Sequence, residues 1–62
     1  MKTISVILEW AELGALMVVK EIEKKFPCWT FIKDIDEDYF ELTIDAREED
    51  IPVIEKMLAP FV

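Results

Sequence analysis

The chain has 62 residues, 53% of them hydrophobic, with one glycine, three prolines, one cysteine, no histidine and a net charge of −7. That length describes a single domain over 1–62, near the lower limit for folding without disulfides or metal, and the apolar content is too high for a disordered segment. The acidic balance argues against direct binding to nucleic acid, which needs clustered Lys and Arg, and no apolar run approaches the roughly 20 residues of a membrane span.

Residues 3–9, TISVILE, are rich in β-branched side chains and read as a strand, with Ile4, Val6 and Leu8 on one face and Thr3, Ser5, Ile7 and Glu9 on the other. Residues 10–12 connect it to a helix over 13–25. There Ala15, Val19, Ile22 and Phe26 recur at helical spacing and form the buried stripe. Lys20, Lys24 and Lys25 lie toward the C-terminal end, where the helix dipole favours cations, and Pro27 ends the helix. Leu13, Leu16 and Met17 lie outside the stripe; they either widen the core face or form an exposed apolar patch beside Trp10.

Residues 28–35 and 39–45 read as the arms of a β-hairpin with an acidic tip at Asp36, Glu37 and Asp38. Phe40, Leu42 and Ile44 alternate with Tyr39, Glu41, Thr43 and Asp45, the pattern of a half-buried strand. A turn of two or four residues pairs Trp29 with Ile44 and Phe31 with Leu42 on the core side; a three-residue turn puts both aromatics outside. The first register hides the larger apolar surface and is the one expected. A second helix follows over 50–58, with Asp50 as its N-cap, Pro52 in its first turn, and Ile51, Ile54 and Leu58 as its buried stripe. Pro60 ends it, and Phe61 and Val62 form an apolar tail able to dock on the core. The predicted fold is α+β in the order β-α-β-β-α: a three-stranded sheet with two helices on one face, ferredoxin-like without the usual last strand.

Between residues 34 and 50 there are nine acids and one base, so this segment carries −8 and the remainder +1. The fold divides the run between two poles. Lys2, Lys24 and Lys25 screen the acids near Asp45 and Asp50, whereas the hairpin tip, beside Glu9 and Glu12, is uncompensated. Asp34, Asp36, Asp38 and Glu41 alternate as the carboxylates of a calcium loop do. Here Tyr39 replaces the required glycine, Glu41 comes too early and strands flank the turn, so no metal is expected. Cys28 has no histidine to activate it, and no acidic pair sits in a recognisable desolvated pocket; neither catalytic residues nor a cofactor are expected. The lone Cys28 has no disulfide partner in the chain, and the first residues lack a signal-peptide pattern. Both point to the cytoplasm.

Leu13-Gly14-Ala15-Leu16, after a strand and opening a helix, resembles the start of the first helix in ACT domains, small ferredoxin-like modules. The resemblance extends to the βαββα order, although Glu12 and Leu13 stand where that family has Asp and Pro. It implies dimerisation and an amino-acid site at Gly14; on purely physical grounds Gly14 lets the helix approach a strand. The expected function is a non-enzymatic protein-interaction or regulatory module that self-associates as a homodimer through Ile7, Leu13, Met17 and Ile32. An alternative is an acidic inhibitor or nucleic-acid mimic, of the kind phages make. It would bind a basic protein through Glu9, Glu12, Asp34, Asp36, Glu37 and Asp38. The ACT-like sensor of a small metabolite is a third reading.

Overall fold

A computed structural model describes all residues, 1–62. Strand β1 (Lys2–Glu9) leads into helix α1 (Ala15–Lys25), strand β2 (Cys28–Asp34), strand β3 (Tyr39–Ala46) and helix α2 (Ile51–Leu58), and a 3₁₀ turn (Ala59–Phe61) follows. The sheet is antiparallel throughout, in the order β1-β3-β2, with β3 in the centre. This is the expected α+β arrangement, and it is compatible with a ferredoxin-like fold. No helix is long and apolar enough to cross a membrane.

The core lies between one face of the sheet and the two helices. Leu8 from β1 and Phe40, Leu42, Ile44 and Ala46 from β3 meet Ala15, Val19 and Ile22 of α1 and Ile51, Ile54 and Leu58 of α2. The predicted helical stripes are all present; only Phe26 is half-buried, closing α1 through its N–H to the Ile22 carbonyl at 3.0 Å. Every second residue of β3 is buried because the strand is paired on both sides and roofed on one face only.

The hairpin register differs from the expected one. Trp29 stands opposite Asp45 and Phe31 opposite Thr43, on the uncovered face, while Thr30 and Ile32 face the helices opposite Ile44 and Leu42. The cause is the turn. The Asp36 carboxylate accepts the N–H groups of Asp38 (2.8 Å) and Tyr39 (3.0 Å), and the Tyr39 carbonyl accepts those of Ile35 and Asp36, both at 3.3 Å. An Asp that hydrogen-bonds the backbone two residues on is a self-contained turn former. It closes the hairpin over three residues, and a shift of one residue turns every side chain to the opposite face. The uncovered face was expected to carry Ser5, Ile7, Thr30, Ile32 and Thr43. Thr30 and Ile32 leave it, and Trp29 and Phe31 take their place.

The start of α1 differs, and that of α2 lies where expected without its side-chain cap bond. Helix α1 begins at Ala15 rather than Leu13, because Gly14 has φ +90°, a left-handed conformation that cannot continue a helix. A Cβ at Gly14 would meet the Phe61 ring at 3.4 Å, so the glycine accommodates the docked tail rather than a close-packed strand. Gly14→Ala is expected to destabilise the fold by about 1–2 kcal/mol through left-handed backbone strain, read as a lower urea midpoint. Asp50 occupies the N-cap position of α2, but its side chain makes no cap bond and accepts instead from Arg47 Nε at 2.9 Å.

Candidate interaction surfaces

The uncovered face of the sheet is built from alternate residues of all three strands. Thr3, Asp45 and Trp29 form one row across it, Ser5, Thr43 and Phe31 the next, and Ile7, Glu41 and Lys33 a third. Thr3 donates to Asp45, and the Ser5 and Thr43 hydroxyls lie 3.2 Å apart, so the β1–β3 half is polar and internally bonded. The β2 side is aromatic. Trp29 is 67% exposed and Phe31 60% exposed, and Ile7 and Tyr39 stand exposed farther along the same face. At roughly 150–250 Å² per aromatic side chain, the neighbouring Trp29 and Phe31 together present on the order of 250 Å² to solvent, and Tyr39 stands apart from them beyond the Glu41 and Lys33 row. Contiguous apolar patches of a few hundred Å² on monomers are often functional.

The hairpin tip forms the second surface. The Trp10 N–H donates to the Asp38 carbonyl at 2.9 Å and its indole Nε1 to Asp34 Oδ1 at 3.1 Å, which ties the end of β1 to the tip. The indole also lies against Phe40, with ring centroids 4.4 Å apart. An open hollow of about 440 Å³ results, lined by Trp10, Asp34, Ile35, Asp36 and Glu37. Asp34, Asp36 and Glu37 thus come together at one site, Glu9 stands opposite Tyr39 at its edge, and Asp38 holds Trp10 through the backbone. Glu12 sits in the turn before α1, where its carbonyl accepts the Ala15 N–H. None of these carboxylates has a Lys or Arg within ion-pair distance; the ion pairs of the chain join Arg47 to Glu49 and Asp50 at the opposite pole. No three acidic or cysteine side chains converge on a point where a metal ion would be held.

The four apolar residues expected to form one self-association surface lie on different sides of the molecule. Ile7 is on the uncovered face, Ile32 on the helix side of β2, Met17 on α1, and Leu13, 93% exposed, in the turn before it. Sequence reasoning missed Trp29 and Phe31 as surface residues and treated Trp10 as part of a connection. The signal for the first two was Asp36, whose turn-forming chemistry favours the three-residue loop. Cys28 is half-buried, with its thiol directed at the Ile22 carbonyl at 3.8 Å. Burial raises its pKa, and the charges of Glu23 and Asp50 raise it further, which suppresses the nucleophilic thiolate. Comparison of the chain with protein-family models, curated proteins and solved structures finds no match in any of the three.

Proposed function

We propose that this chain is a small non-enzymatic protein-interaction or regulatory module that self-associates and receives a protein partner on the uncovered face of its sheet. The observation that carries this reading is the exposure of Trp29 and Phe31 on a face that no helix covers. Leaving a large apolar side chain in water forgoes about 1.5–3 kcal/mol relative to burying it, and a sheet with one aromatic face recovers that energy only in a complex. The lone thiol has no disulfide partner in the chain, which suits the reducing cytoplasm, where we place the protein.

A second reading, an acidic inhibitor that binds a basic protein through the hairpin tip, is favoured by the unpaired carboxylates around Trp10. One affinity capture from the source cell separates the two, using the wild-type chain, Trp29→Ser/Phe31→Ser and Asp36→Asn/Glu37→Gln/Asp38→Asn as baits at low and high salt. The sheet-face reading expects the partner to be lost on the aromatic variant, kept on the tip variant and little affected by salt. Loss on the tip variant, with binding that weakens steeply as salt rises, would replace it with the acidic reading. Capture unchanged by the aromatic substitutions would overturn the sheet-face reading outright.

A further inference from the structure

We propose that the protein partner on the uncovered face presents an arginine, whose guanidinium lies on the indole of Trp29 and donates to the carboxylate of Asp45. The proposal rests on the reading of that face as a protein-binding surface and names the group it recognises.

The hairpin register brings Trp29 and Asp45 together. They stand directly opposite each other on β2 and β3 and share the uncovered face. The Cβ atoms of opposed residues lie about 5 Å apart, so one planar cation can touch the ring and the carboxylate at once. Trp29 is 67% exposed. The close ring pair of the chain is Trp10 with Phe40, so no other ring stacks on the Trp29 indole. On the other side of Asp45 stands Thr3, whose hydroxyl donates to Asp45 Oδ1. That bond steadies the carboxylate and uses one of its roughly four lone-pair sites. The others are open to a donor from the partner.

No cation of the chain takes that place. Arg47 is the nearest in sequence, and its Nε lies 2.9 Å from Asp50 and 3.9 Å from Glu49. Lys2 stands opposite Ala46, on the helix side of the sheet. Lys33 does share the uncovered face, but it stands opposite Glu41, with the Phe31 row between it and Trp29. Within the three strands this face carries Asp45, Glu41 and Glu9 against Lys33 alone. An exposed aromatic pair with carboxylates along its flank is complementary to a segment that is both apolar and basic.

Arginine fits better than lysine. Its guanidinium is planar, stacks on aromatic faces, is weakly hydrated and offers paired N–H donors to a carboxylate. A second copy of the chain does not fit. Strand β3 is central, so stacking two such faces about a twofold axis through Thr43, along the strands or across them, sets β3 on β3. Asp45 then meets Asp45 or Glu41 of the other copy, and each copy adds a charge of −7. A single ion pair partly shielded by the rings is screened less by salt than exposed charges are. The weak salt dependence expected of the sheet face therefore holds with an arginine on it.

The test is a titration of the isotopically labelled chain with N-acetyl-arginine amide at millimolar concentration, followed by NMR. N-acetyl-citrulline amide is the uncharged control of the same shape. The two indole N–H signals report separately, Trp29 for the face and Trp10 for the tip. The arginine probe should move the Trp29 indole signal and the Thr43 and Asp45 amides, and the citrulline probe should leave them in place. Asp45→Asn, which keeps an acceptor for Thr3, should weaken arginine binding about two- to fivefold, the worth of an exposed ion pair. Movement confined to Trp10 and residues 34–37 would overturn the proposal. So would an equal response to citrulline, or an affinity unchanged in Asp45→Asn. If Asp45→Asn does not fold, the comparison of the two probes on the wild-type chain decides alone. Adding Asp45→Asn as a bait in the source-cell capture separates this failure from that of the sheet-face reading. A partner lost on Trp29→Ser/Phe31→Ser but held fully by Asp45→Asn overturns the arginine and leaves the face a binding surface. A partner held fully by both baits overturns both.

Discussion

Replacing Phe40 with alanine is expected to bring the chain close to its unfolding midpoint at room temperature. Phe40 has no exposed surface, sits on the central strand between Leu8 and Asp34, and supports the indole of Trp10. Phe→Ala in a core costs about 3–5 kcal/mol, transfer and cavity together. A chain of this length is stable by roughly 3–9 kcal/mol at the usual 0.05–0.15 kcal/mol per residue. The loss is therefore comparable with the whole margin. Urea unfolding followed by far-ultraviolet circular dichroism should show a midpoint near zero denaturant. Phe40→Leu, which keeps most of the volume, should fall between the variant and the wild type. Tryptophan fluorescence in a Trp29→Phe background, which isolates Trp10, provides an independent readout, because the Trp10 ring loses the surface it rests on. A midpoint unchanged by Phe40→Ala would mean that the ring is not in the core.

The parts of this fold that could be read from the sequence are those where one face is apolar and the other polar. Strand β3 alternates without exception from Tyr39 to Asp45, and its inner residues are buried as the pattern requires. The stripes Ala15-Val19-Ile22 and Ile51-Ile54-Leu58 have the helical period and end at Pro27 and Pro60. Strand β2 has no such contrast. Cys28, Thr30 and Ile32 make one face and Trp29 and Phe31 the other, so apolar area alone favours hiding the aromatics. The turn overrides that preference, because the two backbone bonds accepted by Asp36 fix the loop at three residues. The start of α1 was obscured in a similar way: Leu13 suits a helix, but Gly14 adopts a left-handed conformation under the Phe61 ring. At the tip, the convergence of Asp34, Asp36 and Glu37 follows from topology. The place of Trp10 among them depends on two bonds, to Asp34 and Asp38, that no periodicity encodes.

A direct contrast between Ile44→Ala and Trp29→Ala measures the hairpin register, and the smaller side chain is expected to matter more. Ile44 has no exposed surface and lies between Ile4 and Thr30 on the core side of the sheet. Its truncation should cost about 2–5 kcal/mol. Trp29 stands opposite Asp45 with two thirds of its surface in water, and a change there should stay within about 0.5 kcal/mol, as surface substitutions usually do. Urea midpoints of the two variants provide the comparison. A larger loss for Trp29→Ala would restore the other register, with the indole in the core and Thr30 and Ile32 outside. The expected order has a functional consequence. An indole and a phenyl ring that contribute little to folding still impose an exposed apolar surface on an otherwise acidic protein. In the proposed function, a complex on that face would give those two side chains the burial that the isolated chain does not. Trp29→Ser/Phe31→Ser, which should leave folding nearly intact, is therefore expected to have its main effect on binding.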